Sequence, residues 1–433
     1  AVAGRLERGV SHGVHSCIRR GWRTGGRGAW AAEVAIATWS CCSVIHRGFP
    51  EGELSTGDER VADVVCMFVD HRCMSIQAMT VVTTTSRERA VFKDMKGGPC
   101  IRVRKGCYVR VDSADAFSTL WNSWMTVARA RILAVCVSAH REPVFVGISS
   151  LVVRSIPLWE ANPDVVAWFG ARRPKRKLPP VKIAVATVPA ANVCSTMSRP
   201  REEEIEVVDG LQCESTVDAV VRMACYSEPL SAFVATCMVL CHESGFSKFA
   251  QDEARCLAEM VRDRMKVRLA QRRQEISCLP YKRAELLIDA ADPGCENPAE
   301  AALLWVLKSV STYEVVTQLE IIVNGRRYFA DIAIPALMII FEFDGIGKLG
   351  KDDAEFARAK REWMQRENDL RKAGWTVHRV SWTDYEDFNA LRAWAVSVLR
   401  PHQMRISAQS EMLWVLPTED CDGPQRRFHV RRR

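Results

Sequence analysis

The sequence has no C-x-x-C pair, although it contains seventeen cysteines spread over its whole length. This absence excludes a zinc ribbon and a thioredoxin-type redox motif, because both need closely paired cysteines. Cys66, His71 and Cys73 lie close together, as do Cys100 and Cys107, but their spacings match no pattern of metal ligands. We therefore expect reduced thiols, which are typical of a cytoplasmic protein.

Long apolar runs are also missing. The longest run, around Ile332 to Phe341, is broken by Pro335, and it is shorter than the roughly 18 residues that a membrane-spanning helix needs. The N-terminal segment is rich in arginine but lacks the compact apolar core of a secretory signal. These absences predict a cytoplasmic protein without a membrane segment. Residues 1–60 show no pattern that can be interpreted.

What the sequence does contain is a globular composition. Its 433 residues are 48% apolar and 26% charged, which excludes a largely disordered chain and predicts about two to four domains. The formal net charge is +8. Such a basic excess favours an anionic partner, because it attracts phosphate groups.

Residues 61–112 are expected to form one compact unit. The stretch "RERAVFKDM" predicts a short helix, and "CIRVRKGCYVRVD" predicts two strands joined by a turn at Lys105-Gly106. A short helix before a basic hairpin is typical of a winged helix that binds DNA. An ordinary hairpin with a solvated basic face fits the same periodicity. The basic residues expected on one face of the ribbon are Arg102, Arg104, Lys105 and Arg110.

The middle of the chain, residues 113–290, mixes strand and helix patterns and becomes helical in its second half. Prolines enclose five basic residues within positions 172–177, which predicts an exposed linker that could contact phosphate. The stretch "DEARCLAEMVRDRMKVRLAQRRQ" predicts a long helix with a basic outer face. Its apolar positions recur at helical spacing and are expected to form the buried face: Leu257, Met260, Val261, Met265 and Leu269.

Residues 291–400 have the most readable order of elements. Asn297 and Pro298 predict the start of a helix, and Asn324-Gly325 predicts a tight turn between two strands. A turn at Pro335 leads into a third strand, "LMIIFEFDG". A long polar helix ended by Gly374, a fourth strand and a closing helix follow. The predicted order is therefore helix, three strands, helix, strand, helix, before a basic tail at residues 401–433.

Three carboxylates interrupt the apolar hairpin of this region. Glu342 and Asp344 are two residues apart on a strand and share a face, and an antiparallel return at Pro335 can bring Asp331 beside them. Crowded carboxylates repel each other unless a cation is present. A hard divalent cation such as Mg²⁺ prefers oxygen ligands of this kind and an anionic substrate. The alternative is that these acids are solvated residues at strand ends, with Asp344-Gly345 as a turn.

The stretch "YFADIAIPALMIIFEFDG" followed by "RENDLRKAGWTVHRVSWTD" resembles the very-short-patch-repair-like branch of the PD-(D/E)XK nuclease superfamily. In the resemblance, Asp331 matches the first acid, and Glu342 and Asp344 match an E-x-D motif. Glu300 and Gln318 lie where related sequences carry Glu and Gln. The remaining matches lie in the following helix and strand: Arg366, Glu367, Leu370, Gly374, Trp375, Val377 and Arg379. More loosely, "CIRVRKGCYVRV" resembles an AbiEi-antitoxin-like winged helix, which precedes such a nuclease domain in actinobacterial proteins.

This resemblance implies an α/β chain with a restriction-endonuclease-like C-terminal domain (αβββαβα, mixed sheet), an N-terminal winged helix and a mixed α/β middle region. It implies a metal-dependent DNA endonuclease or nickase that uses Mg²⁺ or Mn²⁺. Asp331, Glu342 and Asp344 would hold the metal. Glu300 would hold a water near it, and Lys348 would stabilise charge. The residues that would contact phosphate after the site are Arg358, Lys360, Arg361 and Arg366.

The chain departs from the superfamily at two positions. Asp344 stands where an E-x-K motif would place lysine, and Met364 stands where many relatives carry lysine. The basic group that orients the attacking water is therefore not assigned. These departures favour an alternative, an antitoxin-like DNA-binding transcriptional regulator with an inactive nuclease fold, which could act with a toxin–antitoxin partner protein.

Overall fold

The computed structural model describes residues 79–83, 100–111, 114–183, 186–344, 353–403 and 405–414. All of them belong to one compact unit, Arg72–Arg433. The helix predicted over "RERAVFKDM" lies outside the described residues. Mixed α/β architecture is confirmed, because helices alternate with four separate sheets in the described part of the chain.

The first sheet contains the predicted basic ribbon. Strands β1 (Met79–Thr83), β2 (Cys100–Arg104) and β3 (Cys107–Val111) form it in the order β1-β3-β2, with both pairs antiparallel. Gly106 in the predicted turn has a φ of 73°. Val103 and Val109 are buried, whereas Arg102 is exposed, so the alternation seen in the sequence is the alternation of the sheet. The third strand, β1, was not predicted.

The middle region follows with a helix and a six-stranded mixed sheet. Helix α1 (Leu120–Val137) begins at Thr119, whose hydroxyl accepts a hydrogen bond from the Asn122 amide at 3.0 Å. The sheet has the order β10-β11-β4-β5-β9-β6, and β7 and β8 form a separate antiparallel pair. Helix α2 covers Ile148–Val153. The strands are β4 (Val144–Phe145), β5 (Val165–Trp168), β6 (Arg176–Leu178), β7 (Val181–Ile183), β8 (Ala186–Val188), β9 (Ala191–Ser195), β10 (Ile205–Val208) and β11 (Leu211–Glu214).

One expectation for this region is only partly correct, because Arg172, Arg173 and Lys175 lie in a stretch without helix or strand. The basic run was predicted to be a linker, but its last two residues, Arg176 and Lys177, belong to the edge strand β6, which pairs with β9. Both side chains are exposed. An edge strand tolerates exposed basic side chains, which keep its free edge from pairing with other chains.

Four helices complete the middle region: α3 (Thr216–Tyr226), α4 (Pro229–Ser244), α5 (Gln251–Gln271) and α6 (Cys278–Ala290). The predicted buried face of α5 is only partly correct. Val261, Met265 and Leu269 are buried, whereas Leu257 is 37% and Met260 is 54% exposed. The inner face includes Ala258 instead. A small residue at that position lets α5 approach its neighbours closely, so the larger side chains lie on the outside.

The C-terminal region has the predicted order of elements, which is confirmed: α7 (Pro298–Lys308), β12 (Val316–Val323), β13 (Arg326–Ile334), β14 (Ile339–Asp344), α8 (Asp353–Lys372), β15 (Thr376–Ser381) and α9 (Phe388–Leu399). Helix α10 (Ala408–Trp414) follows within the stretch that was assigned to a basic tail, and it was not predicted. The sheet has the order β12-β13-β14-β15. The first two pairs are antiparallel, and β14 and β15 are parallel because α8 carries the chain back between them.

Local signals explain these boundaries. The Asn297 side chain accepts hydrogen bonds from the amides of Ala299 and Glu300, each at 3.0 Å, and thereby caps α7. Asn324 and Gly325 have φ values of 53° and 75°, as a two-residue hairpin turn requires. Gly374, with a φ of 91°, ends α8.

Helices cover both faces of this sheet. On one face, Ile332, Phe341 and Phe343 join the main core, and the Trp394 ring of α9 contacts Phe341 edge to face, with 5.9 Å between ring centroids. On the other face, a smaller cluster forms around Ile340 and Leu370 of α8. Among the described residues, no helix is both long and apolar enough to cross a bilayer.

Candidate active site

Asp331 lies opposite Glu342 on neighbouring antiparallel strands. The pairs Ile332–Phe341 and Ala333–Ile340 set the register of β13 and β14, and its next step places Asp331 across from Glu342. The Asp331 carboxylate accepts a hydrogen bond from the Phe343 amide at 3.0 Å. The regular ladder ends at Ile332, so this side-chain hydrogen bond continues the connection between the strands where the backbone pairing ends.

The Glu342 carboxylate is buried, with the residue only 5% exposed. One of its oxygens accepts a hydrogen bond from Arg366 of α8, and the other lies 3.2 Å from an Nη atom of Arg379 on β15. A buried carboxylate is strongly destabilising without such compensation. Two guanidinium groups from two different elements therefore stabilise its charge.

Asp344 shares Arg379 with Glu342. An Nη atom of Arg379 lies 2.9 and 3.1 Å from the two carboxylate oxygens of Asp344. Arg379 is the parallel neighbour of Glu342 across β14 and β15, which explains how it reaches both acids. Its guanidinium also lies 4.5 Å from the ring centroid of Trp363 and 3.8 Å from Glu367. Arg379 is thus the central cation of the cluster.

Arg366 was expected to contact phosphate, but the structure places it against the acids. Besides Glu342, it donates a hydrogen bond to the Phe329 carbonyl at 2.5 Å. It therefore connects α8 to both β13 and β14. The Nε atoms of Arg366 and Arg379 are buried and have no hydrogen-bond partner among the described residues.

Glu300 serves the start of α7. Its carboxylate oxygens accept hydrogen bonds from the Glu296 amide at 2.7 Å and from the Asn297 side chain at 2.6 Å. This is the geometry of a helix cap. The role implied for Glu300 in holding a water near a metal stays a prediction.

Tyr385 was not identified from the sequence. Its hydroxyl donates to the Ala299 carbonyl at 2.7 Å. Burial, followed by the negative charges of Glu300, Asp384 and Asp331, raises the pKa of Tyr385 well above its ordinary value. The carboxylates of Asp331 and Glu300 therefore both raise the pKa of the same buried hydroxyl, that of Tyr385. The only sequence signal was an aromatic residue just before the last helix of the domain.

Gln318 occupies the position on β12 that faces Asp331. The pairs Thr317–Ile332 and Leu319–Ala330 flank it, and its φ of 50° lies in the left-handed region. The residue is 1% exposed, and its Nε2 has no hydrogen-bond partner among the described residues. A left-handed non-glycine residue and an unpaired buried donor each cost about 1–3 kcal/mol. Two unfavourable features, a left-handed backbone and an unpaired buried amide, are therefore found together at Gln318, the neighbour of Asp331 on the adjacent strand.

Replacing Gln318 with methionine should raise the free energy of unfolding by about 1 kcal/mol, because an unbranched apolar side chain of similar length removes the unpaired donor. Urea unfolding followed by circular dichroism measures this change. Gln251→Met is the matched control and should be destabilising, because the Gln251 side chain donates to the Gln318 carbonyl at 2.8 Å. A loss of stability in Gln318→Met would show that its amide is satisfied.

A cavity of about 1000 Å³ lies along β12 and is separate from the acid cluster. Its lining includes Arg255, Asp292 and Gln318. Arg255 lies 3.2 Å from Asp292 and donates to the Thr317 carbonyl at 2.9 Å. Arg255 is therefore held in the cavity wall by an acid and by a backbone carbonyl of β12.

The other predicted residues lie at the surface or outside the described residues. Lys348 lies outside them, as do the side-chain contacts of Lys360. Arg361 is exposed, and Arg358 is exposed and pairs with Glu362 at 3.0 Å. In the ribbon, Arg102 and Lys105 are exposed, and Arg110 is half-buried. The Arg104 guanidinium donates to the Ser138 hydroxyl at the end of α1.

In the described part of the chain, no group of three or more His, Cys, Asp or Glu side chains is arranged to hold a metal ion. The carboxylate oxygens of Asp331, Glu342 and Asp344 are nevertheless the ligand type that Mg²⁺ prefers. The donor set therefore fits a hard cation, provided that Arg379 gives up its contacts with Glu342 and Asp344.

No protein-family model matches this chain, and no curated protein or solved structure is similar enough to count as a match.

Proposed function

We propose that the C-terminal region has a restriction-endonuclease-like fold and that the protein is a metal-dependent DNA endonuclease or nickase of the cytoplasm. The observation that carries this proposal is the position of Asp331 opposite Glu342, with Asp344 two residues further along the same strand. Supporting it, helix, three strands, helix, strand and helix follow in the order that the resemblance implies.

Asp331, Glu342 and Asp344 would hold the Mg²⁺ or Mn²⁺. When bound, such an ion polarises a phosphodiester and lowers the pKa of a coordinated water. The chain's own contribution is orientation. The Phe343 amide fixes the Asp331 carboxylate, and Arg366 fixes the Glu342 carboxylate.

The decisive experiment incubates supercoiled plasmid with the full chain, with and without Mg²⁺ or Mn²⁺. The proposal predicts open-circular product only in the presence of metal. Intact plasmid under every condition would reject the nuclease.

A second candidate function is an antitoxin-like DNA-binding regulator in which the nuclease fold is a scaffold, acting with a toxin–antitoxin partner protein. The observation that favours it is the complete pairing of Glu342 with two arginines. Plasmid that is shifted in a gel but stays intact, with binding that weakens as salt rises, supports this function.

The exposed cations of the basic ribbon should contribute to DNA binding in both cases. We expect Arg102→Gln combined with Lys105→Gln to reduce the slope of log K against log salt by about 1.8, because each lost phosphate contact removes about 0.9. Fluorescence anisotropy at several salt concentrations measures the slope. The exposed pair Lys266→Gln and Lys282→Gln, outside the ribbon, is the control. An unchanged slope in the ribbon variant would exclude the ribbon from the interface.

A further inference from the structure

Helix α5 has a second apolar face that no other described element covers. The inner face is complete, because Ala254, Ala258, Val261, Met265 and Leu269 are all buried. On the outside, a row of exposed residues follows alternating steps of four and three, which is the spacing of a coiled-coil seam. We call this row the outer seam: Glu253, Leu257, Met260, Arg264, Val267 and Gln271.

The outer seam is apolar in its central part. Leu257 is 37%, Met260 is 54% and Val267 is 55% exposed. Beside it lies a groove of about 490 Å³, whose lining includes Val217, Met260 and Val267. Apolar seam positions next to a groove that their own chain leaves open indicate an interaction surface.

The charges of the outer seam indicate what covers it. Several other charged residues of α5 pair within the chain: Glu259 with Arg262, Lys266 with Asp289 and Arg268 with Glu204. Asp252 and Asp263 lie outside the seam and have no ion pair with any described residue. Glu253 and Arg264, the two charged members of the outer seam, have no ion pair with any described residue. They lie on opposite sides of Leu257 and Met260, one acidic and one basic. Such a surface is complementary to an inverted copy of itself.

We infer that the outer seam binds the outer seam of a second copy of this chain, with the two α5 helices antiparallel. In this register, Leu257 of each copy packs against Met260 of the other. Glu253 of each copy then meets Arg264 of the other, so both free charges are paired. The steps of four and three make Leu257 and Met260 the two alternating apolar positions of a seam, called a and d. In antiparallel coiled coils an a position of one helix faces a d position of the other. Antiparallel helix dipoles add a favourable contribution.

The contact involves one helix and its flanks, so it is smaller than a standard interface. We therefore expect a dissociation constant on the order of 10 µM. Sedimentation equilibrium of the full chain between about 1 and 100 µM covers this range. The expected result is a concentration-dependent shift from monomer to dimer.

A charge-swap cycle tests the register. Glu253→Arg and Arg264→Glu should each weaken dimerisation at least about tenfold, because each places two like charges opposite each other. The double variant exchanges the charges and should recover to within about threefold of the original dissociation constant. Glu386→Arg, an exposed acid outside α5, is the matched control and should change nothing.

Circular dichroism of every variant separates a lost interface from a lost fold, and all these positions are exposed. A chain that stays monomeric at about 100 µM overturns the inference. So do single swaps without effect, or a double variant that stays as weak as the single ones. Recovery in the double variant supports an interface between two copies, because a different partner protein would not carry the compensating charges.

Discussion

Asp331→Asn is expected to reduce metal-dependent nicking of supercoiled plasmid by about 100-fold or more, since it removes the negative charge of one of the acids that would hold the cation. The fold should persist. The Phe343 amide donates to Asp331 at 3.0 Å, and the amide oxygen of asparagine can accept the same hydrogen bond. The measurement is the initial rate of conversion to open-circular plasmid, compared with the unmodified chain at equal DNA occupancy.

The control for this variant is Glu320→Gln, which neutralises an acid on the neighbouring strand β12. Glu320 pairs with Arg327 at 2.7 Å on the surface, away from the acid cluster, so nicking should be unchanged. If Asp331→Asn and Glu320→Gln nick at the same rate, Asp331 has no part in the reaction.

Arg379→Gln is expected to destabilise the protein by about 2–3 kcal/mol and to make its stability strongly dependent on Mg²⁺. Without Arg379, Glu342 and Asp344 lose their shared cation and repel each other. A divalent cation then binds without competition from the guanidinium. At a concentration of about 100 times its dissociation constant, it should restore about 2.7 kcal/mol. Urea unfolding with and without Mg²⁺ measures both effects.

Arg358→Gln is the matched control, because Arg358 pairs with Glu362 on the surface of α8 at 3.0 Å. Exposed pairs contribute about 0–1 kcal/mol, so this variant should show neither effect. If sodium chloride at equal ionic strength rescues Arg379→Gln as well as Mg²⁺ does, the acids form a structural ion-pair cluster. The second candidate function, a DNA-binding regulator, is then better supported than the nuclease.

Much of the C-terminal fold could be predicted from short stretches of sequence. Asn297 before Pro298, Asn324-Gly325 and Gly374 mark a helix start, a hairpin turn and a helix end, and the structure has each boundary there. These signals act within a few residues, because caps and turns depend on local hydrogen bonds and on left-handed backbone conformations. The element order followed directly from them.

The misses concern contacts between distant segments. Five-residue strand β1 pairs with β3 across the ribbon, and its pattern alone did not distinguish it. In α5 the periodicity contained two apolar faces, and nothing local showed that the one with Ala258 would be buried.

By itself, the sequence determined the order of the helices and strands between residues 297 and 399 and several of their boundaries, and it placed Glu342 and Asp344 on one strand. Only the tertiary structure decided which cations meet these acids. Arg366 and Arg379 come from α8 and β15, more than twenty residues away along the chain. The physical reason is the separation along the chain of the residues that interact. Caps, turns and alternation follow from neighbouring residues, whereas the pairing of a buried charge depends on which elements pack against it.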